Sequence, residues 1–154
     1  MKRKKDDAPV GRVRVDLPET FPFRTEIPVR VDDINYGGHL GNDAVLSMAH
    51  EARLRFLRHL DYSETDIEGV GIIMTDAVIE YRSESFYGDV LVVDVGVVDV
   101  ERRSCDFVYR MCRKEGGREV ARVKTGVVFF DYATRGVVAV PEEFPARIQR
   151  GEEP

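Results

Sequence analysis

The chain has 154 residues, of which 43% are hydrophobic and 33% charged, and its net charge is −5. That length suits one domain with enough interior to form a core without disulfide or metal staples. The acidic balance argues against a nucleic-acid partner, and no apolar run approaches the roughly 18–20 residues of a membrane span.

The first seven residues, MKRKKDD, are charged and lead into no apolar segment. They do not read as a signal peptide, and residues 1–20 are expected to form a flexible N-terminal segment. A single domain is then expected over 21–145, followed by a C-terminal tail over 146–154. Residues 21–31, FPFRTEIPVRV, mix β-branched and aromatic side chains and predict a first strand. Pro22 and Pro28 place that strand at a sheet edge or on a bulge.

The next stretch, DDINYGGHLGN over 32–42, holds two aspartates, two asparagines, one histidine and three glycines. If the strand continues into it, Asp33 and Asn35 face the same side. Residues 42–60 follow with Val45, Met48, Ala49, Ala52, Phe56 and Leu60 at helical spacing, forming one apolar stripe. Asn42 or Asp43 is expected to cap the start of this helix. Leu54 stands on its otherwise polar side.

The period then changes. Residues 71–85, 89–101, 104–115 and 118–131 are valine-rich, partly alternating, and predict four strands. Gly116-Gly117 is a two-residue hairpin signal. Tyr87-Gly88-Asp89 and Glu101-Arg102-Arg103 mark the other turns. Residues 135–140 predict a short further strand, and Pro141 opens a segment with room for a helical turn. Cys105 and Cys112 are seven apart on one strand, so they point to opposite faces and do not pair. Free thiols suit a reducing, cytoplasmic location. One helix beside a run of antiparallel strands is an α+β layer arrangement. It leaves a sheet edge that a second copy of the chain can cover.

The run VRVDDINYGGHLGNDAVLSMAHEARLRFL resembles the hotdog-fold acyl-CoA thioesterases of the 4-hydroxybenzoyl-CoA thioesterase type. Arg30, Asp33, Gly38, His39, Asn42, Glu51, Ala52, Arg53, Phe56 and Leu57 match the family pattern without a gap. Tyr81, Gly88 and Asp89 match a later strand motif, with Ser85 or a neighbour where proline is usual. The likeness spans roughly 22–140. It implies a hotdog fold: one long central helix wrapped by an antiparallel sheet of five or six strands, built into a homodimer or homotetramer. It also implies hydrolysis of an acyl-CoA or acyl-carrier thioester, with coenzyme A entering as part of the substrate and no separate cofactor. In this family the second aspartate of the D-x-D motif is commonly the catalytic carboxylate. Here that position is Asn35, which cannot accept a proton as a base.

Thioester hydrolysis needs an activated water or nucleophile, donors for the oxyanion, and a base. The glycines of the 32–42 loop and the following helix N-terminus are candidate donors, or the glycines only make a tight turn. Asp33 and Glu51 are the candidate bases. Asp33 can instead hold the loop through backbone N–H bonds, and Glu51 can instead pair with Arg55 at i,i+4. Asn35 is expected to position water or substrate. Gly38, His39 and Asn42 are expected to contact substrate, with a purely structural His39 as the alternative. Arg102 and Arg103 are candidate contacts for the CoA phosphates, or a solvated turn. No CxxC or HExxH spacing points to a metal. The competing reading is a hotdog protein that binds an acyl or aryl thioester without hydrolysing it.

Overall fold

The computed structural model describes residues 11–151. Six strands and two helices follow in chain order: β1 Phe23–Pro28, α1 Asn42–His59, β2 Gly71–Tyr81, β3 Val90–Val98, β4 Ser104–Arg113, β5 Glu119–Asp131, β6 Gly136–Val137 and α2 Glu143–Gly151. The strands form one antiparallel sheet in the order β1-β3-β4-β5-β2, with β6 paired to β5. This is the expected α+β hotdog arrangement, a long helix wrapped by a six-stranded sheet.

The fold follows from two apolar faces that must meet. On α1, Val45, Met48, Ala49, Ala52, Phe56 and Leu57 are buried. On the sheet, alternation turns Val93, Val95, Phe107, Tyr109, Met111, Val123 and Phe129 to the same side, and all seven are fully buried. Ala49 and Ala52 let the helix approach closely. Phe56 stacks on Phe23 at 5.4 Å and meets Phe107 edge-on at 6.4 Å. One charged residue joins this interior. Arg53, 5% exposed, donates to Tyr109 Oη at 3.0 Å and Glu64 at 2.8 Å, and Tyr109 Oη lies 2.8 Å from Thr125 Oγ1. Cys105 and Cys112 are both free, and burial pushes the Cys105 thiol up to about 12, so it is no nucleophile at neutral pH.

The structure departs from the sequence reading at both ends of the domain, at one hairpin and at the helix cap. Of the segment expected to be flexible, residues 1–10 lie outside the described residues. Beyond them, Val15 is 2% exposed and its N–H bonds Glu80 Oε1 at 3.1 Å, so the ordered chain starts before residue 21. The tail expected from residue 146 starts inside α2, whose Phe144 and Ile148 are buried against the core. The hairpin between β4 and β5 has four residues between Arg113 and Arg118, not two. Arg113 N–H bonds Arg118 O, and Gly116 and Gly117 both take positive φ. Finally, Gly41 is the helix N-cap, in extended conformation and without a side-chain cap bond, where Asn42 or Asp43 was expected.

A loop over residues 82–89 clasps the chain leading into α1. Ser85 O accepts from Leu40 N–H at 2.7 Å, and Asp89 O accepts from Val29 N–H at 2.8 Å. Asp89 organises the loop, its carboxylate accepting from Phe86 N–H and Ser85 Oγ, both at 2.8 Å, beside Arg113. Burial opposes its charge, but these donors outweigh burial and lower its pKa from 3.8.

Two stability measurements test this account. Arg53→Ala is expected to cost about 3 kcal/mol in urea unfolding, and volume-keeping Arg53→Met less, because Ala leaves a void as well as a lost ion pair. Asp89→Ala is expected to cost about 2 kcal/mol at neutral pH. Asp89 is lowered in the folded chain, so its contribution is complete above the ordinary value and is lost as pH falls through the lower folded value. The gap between wild type and Asp89→Ala should therefore narrow in acid; a gap unchanged by pH would refute the assignment.

Candidate active site

The polar loop is a chain of local hydrogen bonds. β1 ends at Pro28, and Val31–Asp33 form a single 3₁₀ turn. Asp33, 8% exposed, folds back on it: Oδ2 accepts from Arg30 N–H at 2.8 Å and lies 3.6 Å from the Arg30 guanidinium. Strand alternation therefore does not run through this segment, and the expectation that Asp33 and Asn35 share a side fails. Asn35 is exposed. A tight turn follows in which Asn35 N–H bonds His39 O at 2.9 Å and Gly38 N–H bonds Asn35 O at 3.0 Å. Gly38 holds φ +83° there, a conformation glycine adopts without penalty.

The glycine N–H groups expected to face a substrate carbonyl are already used. Gly37 donates to Asn35 Oδ1 at 3.0 Å, Gly38 to Asn35 O, and Gly41 to Asp33 O at 2.8 Å. The donors left are at the start of α1, where the N–H groups of Asn42 and Asp43 have no carbonyl four residues back within the helix. The positive end of the helix dipole sits at the same place.

Asn35, His39, Leu40 and Asn42 line one open cleft with Tyr81, Arg82, Ser83 and Glu84. Tyr81 Oη donates to Asn42 O at 2.9 Å, bracing the helix N-terminus. Burial, with Asp43 nearby, raises the Tyr81 phenol, so it stays a neutral donor. His39 Nε2 stands 3.7 Å from Glu84 Oε1.

Asp33 and Glu51 line a different cleft, between β1 and α1, with Ile27, Pro28, Arg30, Ser47, Met48 and Arg55. Glu51 makes the i,i+4 contact with Arg55 at 3.4 Å, while Arg55 also donates to Thr25 Oγ1 and Glu26 O. Glu51 is nine residues beyond Asn42, roughly 13 Å along the helix. It does not reach a carbonyl held at the helix N-terminus of its own chain.

Arg102 and Arg103 are not brought to either cleft. Both are exposed in the β3–β4 turn, where Arg103 O accepts from Phe129 N–H at the far end of β5. The 32–42 loop lies at the opposite sheet end, where Val29 meets Asp89 and Leu91 pairs with Arg113. Ten residues of β4 separate the two ends, about 33 Å. Sequence reasoning missed Glu84 and the bracing role of Tyr81. Tyr81 carried a signal, since it matches the family pattern; Glu84 carried none. Among the described residues no three His, Cys, Asp or Glu side chains are placed to hold a metal ion.

The family model described as the thioesterase-like superfamily matches residues 29–148. No curated protein sequence matches. Among solved structures, the chain is similar to a 1,4-dihydroxy-2-naphthoyl-CoA thioesterase from Synechocystis, with 21% identity and a TM-score of 0.76 over 86% of this chain and 98% of the other. It is similar to a probable thioesterase from Escherichia coli, with 18% identity and a TM-score of 0.70 over 84% and 98%. It is also similar to a gentisyl-coenzyme A thioesterase, with 14% identity and a TM-score of 0.69 over 85% and 100%. At these identities the structures speak for the fold, and the family model speaks for descent. The chain belongs to the thioesterase-like superfamily and has its hotdog fold.

Proposed function

We propose that the protein hydrolyses an acyl-CoA thioester to the free acid and CoA. The observation that carries this reading is the cleft at the start of α1, lined by Asn35, His39 and the first helical residue Asn42 in a chain of this superfamily. The thioester oxygen is held by the N–H groups of Asn42 and Asp43, which gain strength as it becomes an oxyanion. Asn35 orients water or substrate, Gly38 shapes the turn that presents His39, and Asp33 holds the loop. Coenzyme A enters as part of the substrate, in a reducing, cytoplasmic setting that suits two free cysteines. No described helix is long and apolar enough to cross a membrane.

The working unit is a homo-oligomer. β2 is an eleven-residue edge strand that among the described residues pairs only with β5, with Ile73 and Met74 exposed on it. An unpaired edge of that length is a template for a second copy, and Leu54 adds exposed apolar surface on α1.

The second reading, a thioester-binding protein without turnover, is favoured by Asn35 at the usual carboxylate position. Incubation with aliphatic and aromatic acyl-CoAs and an acyl-carrier thioester, read with a thiol reagent and by binding, separates the two. Free thiol release at enzymatic rates is expected; tight binding without release, together with turnover created by Asn35→Asp, would establish the second reading. Sedimentation at micromolar concentration is expected to show a dimer or tetramer, and a 17.5 kDa species alone would refute assembly through β2.

A further inference from the structure

We infer that His39 is the general base of this site, and that the space left by the missing side chain of Gly37 seats the attacking water between His39 and Asn35. This rests on the thioester hydrolase reading and supplies what that reading lacks, a proton acceptor in the cleft that holds the oxyanion donors.

The first support is the gap itself. A Cβ on Gly37 would stand 3.2 Å from His39 Nε2 and 3.4 Å from Asn35 Oδ1. A ring nitrogen and an amide oxygen thus flank the side of Gly37 that bears no side chain. Gly37 is not among the positive-φ glycines, so its backbone does not demand glycine; the opening is what a side chain there would remove. Asn35 Oδ1 already accepts from Gly37 N–H, which fixes the amide and leaves its second lone pair for a water proton.

The second support is the ring's orientation. His39 Nδ1 faces Leu40 O at 3.4 Å. In the tautomer in which Nδ1–H donates to Leu40 O, Nε2 carries the lone pair. That lone pair borders the opening. Glu84 Oε1 stands 3.7 Å from Nε2 and stabilises the positive charge that appears when the ring takes a proton. The other charged or titratable groups lining the cleft are Arg82 and Tyr81. Arg82 is engaged by Glu80 and Glu119, and Tyr81 donates to Asn42 O.

The step balances without another reactant. The water oxygen bonds to the thioester carbon while one water proton passes to Nε2 and the carbonyl oxygen gathers charge at the helix N-terminus. The intermediate then expels sulfur, the carbon–sulfur bond breaks, and His39 returns the proton to the thiolate. Acid, thiol and neutral imidazole result. Asn35 needs only to orient, so the family's carboxylate is replaced in function by a group four residues downstream.

The test uses the acyl-CoA that the wild-type protein turns over fastest. His39→Gln is expected to lower kcat about 10²–10⁴-fold. Gly37→Ala is expected to lower kcat at least about tenfold with little change in KM, since it fills the water's space and not the acyl site. Glu84→Gln, at a position 65% exposed, is expected to lower kcat with an unchanged melting temperature. Retained kcat in both His39→Gln and Gly37→Ala overturns the inference while leaving the hydrolase reading intact. A wild-type protein that binds but never turns over removes both. If His39→Gln fails to fold, Gly37→Ala and Glu84→Gln decide the matter.

Discussion

Everything functional in this chain is aimed by one contact, the apolar stripe of α1 seated in the concave face of the sheet. Ala49, Ala52, Phe56 and Leu57 are fully buried there, and interiors packed at crystal-like density do not let such a helix slide or rotate. With the helix immobile, its N-terminus is a fixed point. The 32–42 loop is then strung between that point and the end of β1, and its hydrogen bonds follow from the short span. Arg53 pins the same helix from within, through Tyr109, Thr125 and Glu64.

The loop achieves its order with unusual economy of partners. Each glycine amide that looks free in the sequence is absorbed by a neighbour: Gly37 by Asn35 Oδ1, Gly38 by Asn35 O, Gly41 by Asp33 O. Rigidity comes from these internal bonds and from the 82–89 clasp, and the polar groups left outward-facing are few. A preorganised site needs that condition, since groups that must reorganise during reaction lose much of their electrostatic benefit. Asp33 shows the same logic. Its carboxylate bonds Arg30 and holds the turn.

The replacement of the family aspartate by Asn35 shifts chemical responsibility within the cleft. An amide keeps the shape and the hydrogen bonds of a carboxylate but not its basicity. The cleft compensates by holding a ring nitrogen across the Gly37 opening. Glu51, attractive because it lies on the helix in a matching motif, stands well along α1 from this cleft in its own chain and contacts Arg55.

By itself the sequence determined the element order, the α+β class, the apolar stripe of α1 and the family, because periodicity, turn residues and the DINYGGH motif are local signals. It also made Asp33's loop-holding role and the Glu51–Arg55 contact legible as alternatives, since both are formed within four residues. Only the tertiary structure decided which candidates share a cleft. Asn35, His39 and Asn42 meet Tyr81 and Glu84 there, while Arg102 and Arg103 go to the other end of the sheet. Those placements depend on the strand order β1-β3-β4-β5-β2 and on the 82–89 clasp. Both are long-range pairings with no local signature, so residues some forty positions apart become neighbours while residues that look suited to one ligand are held a sheet's length apart.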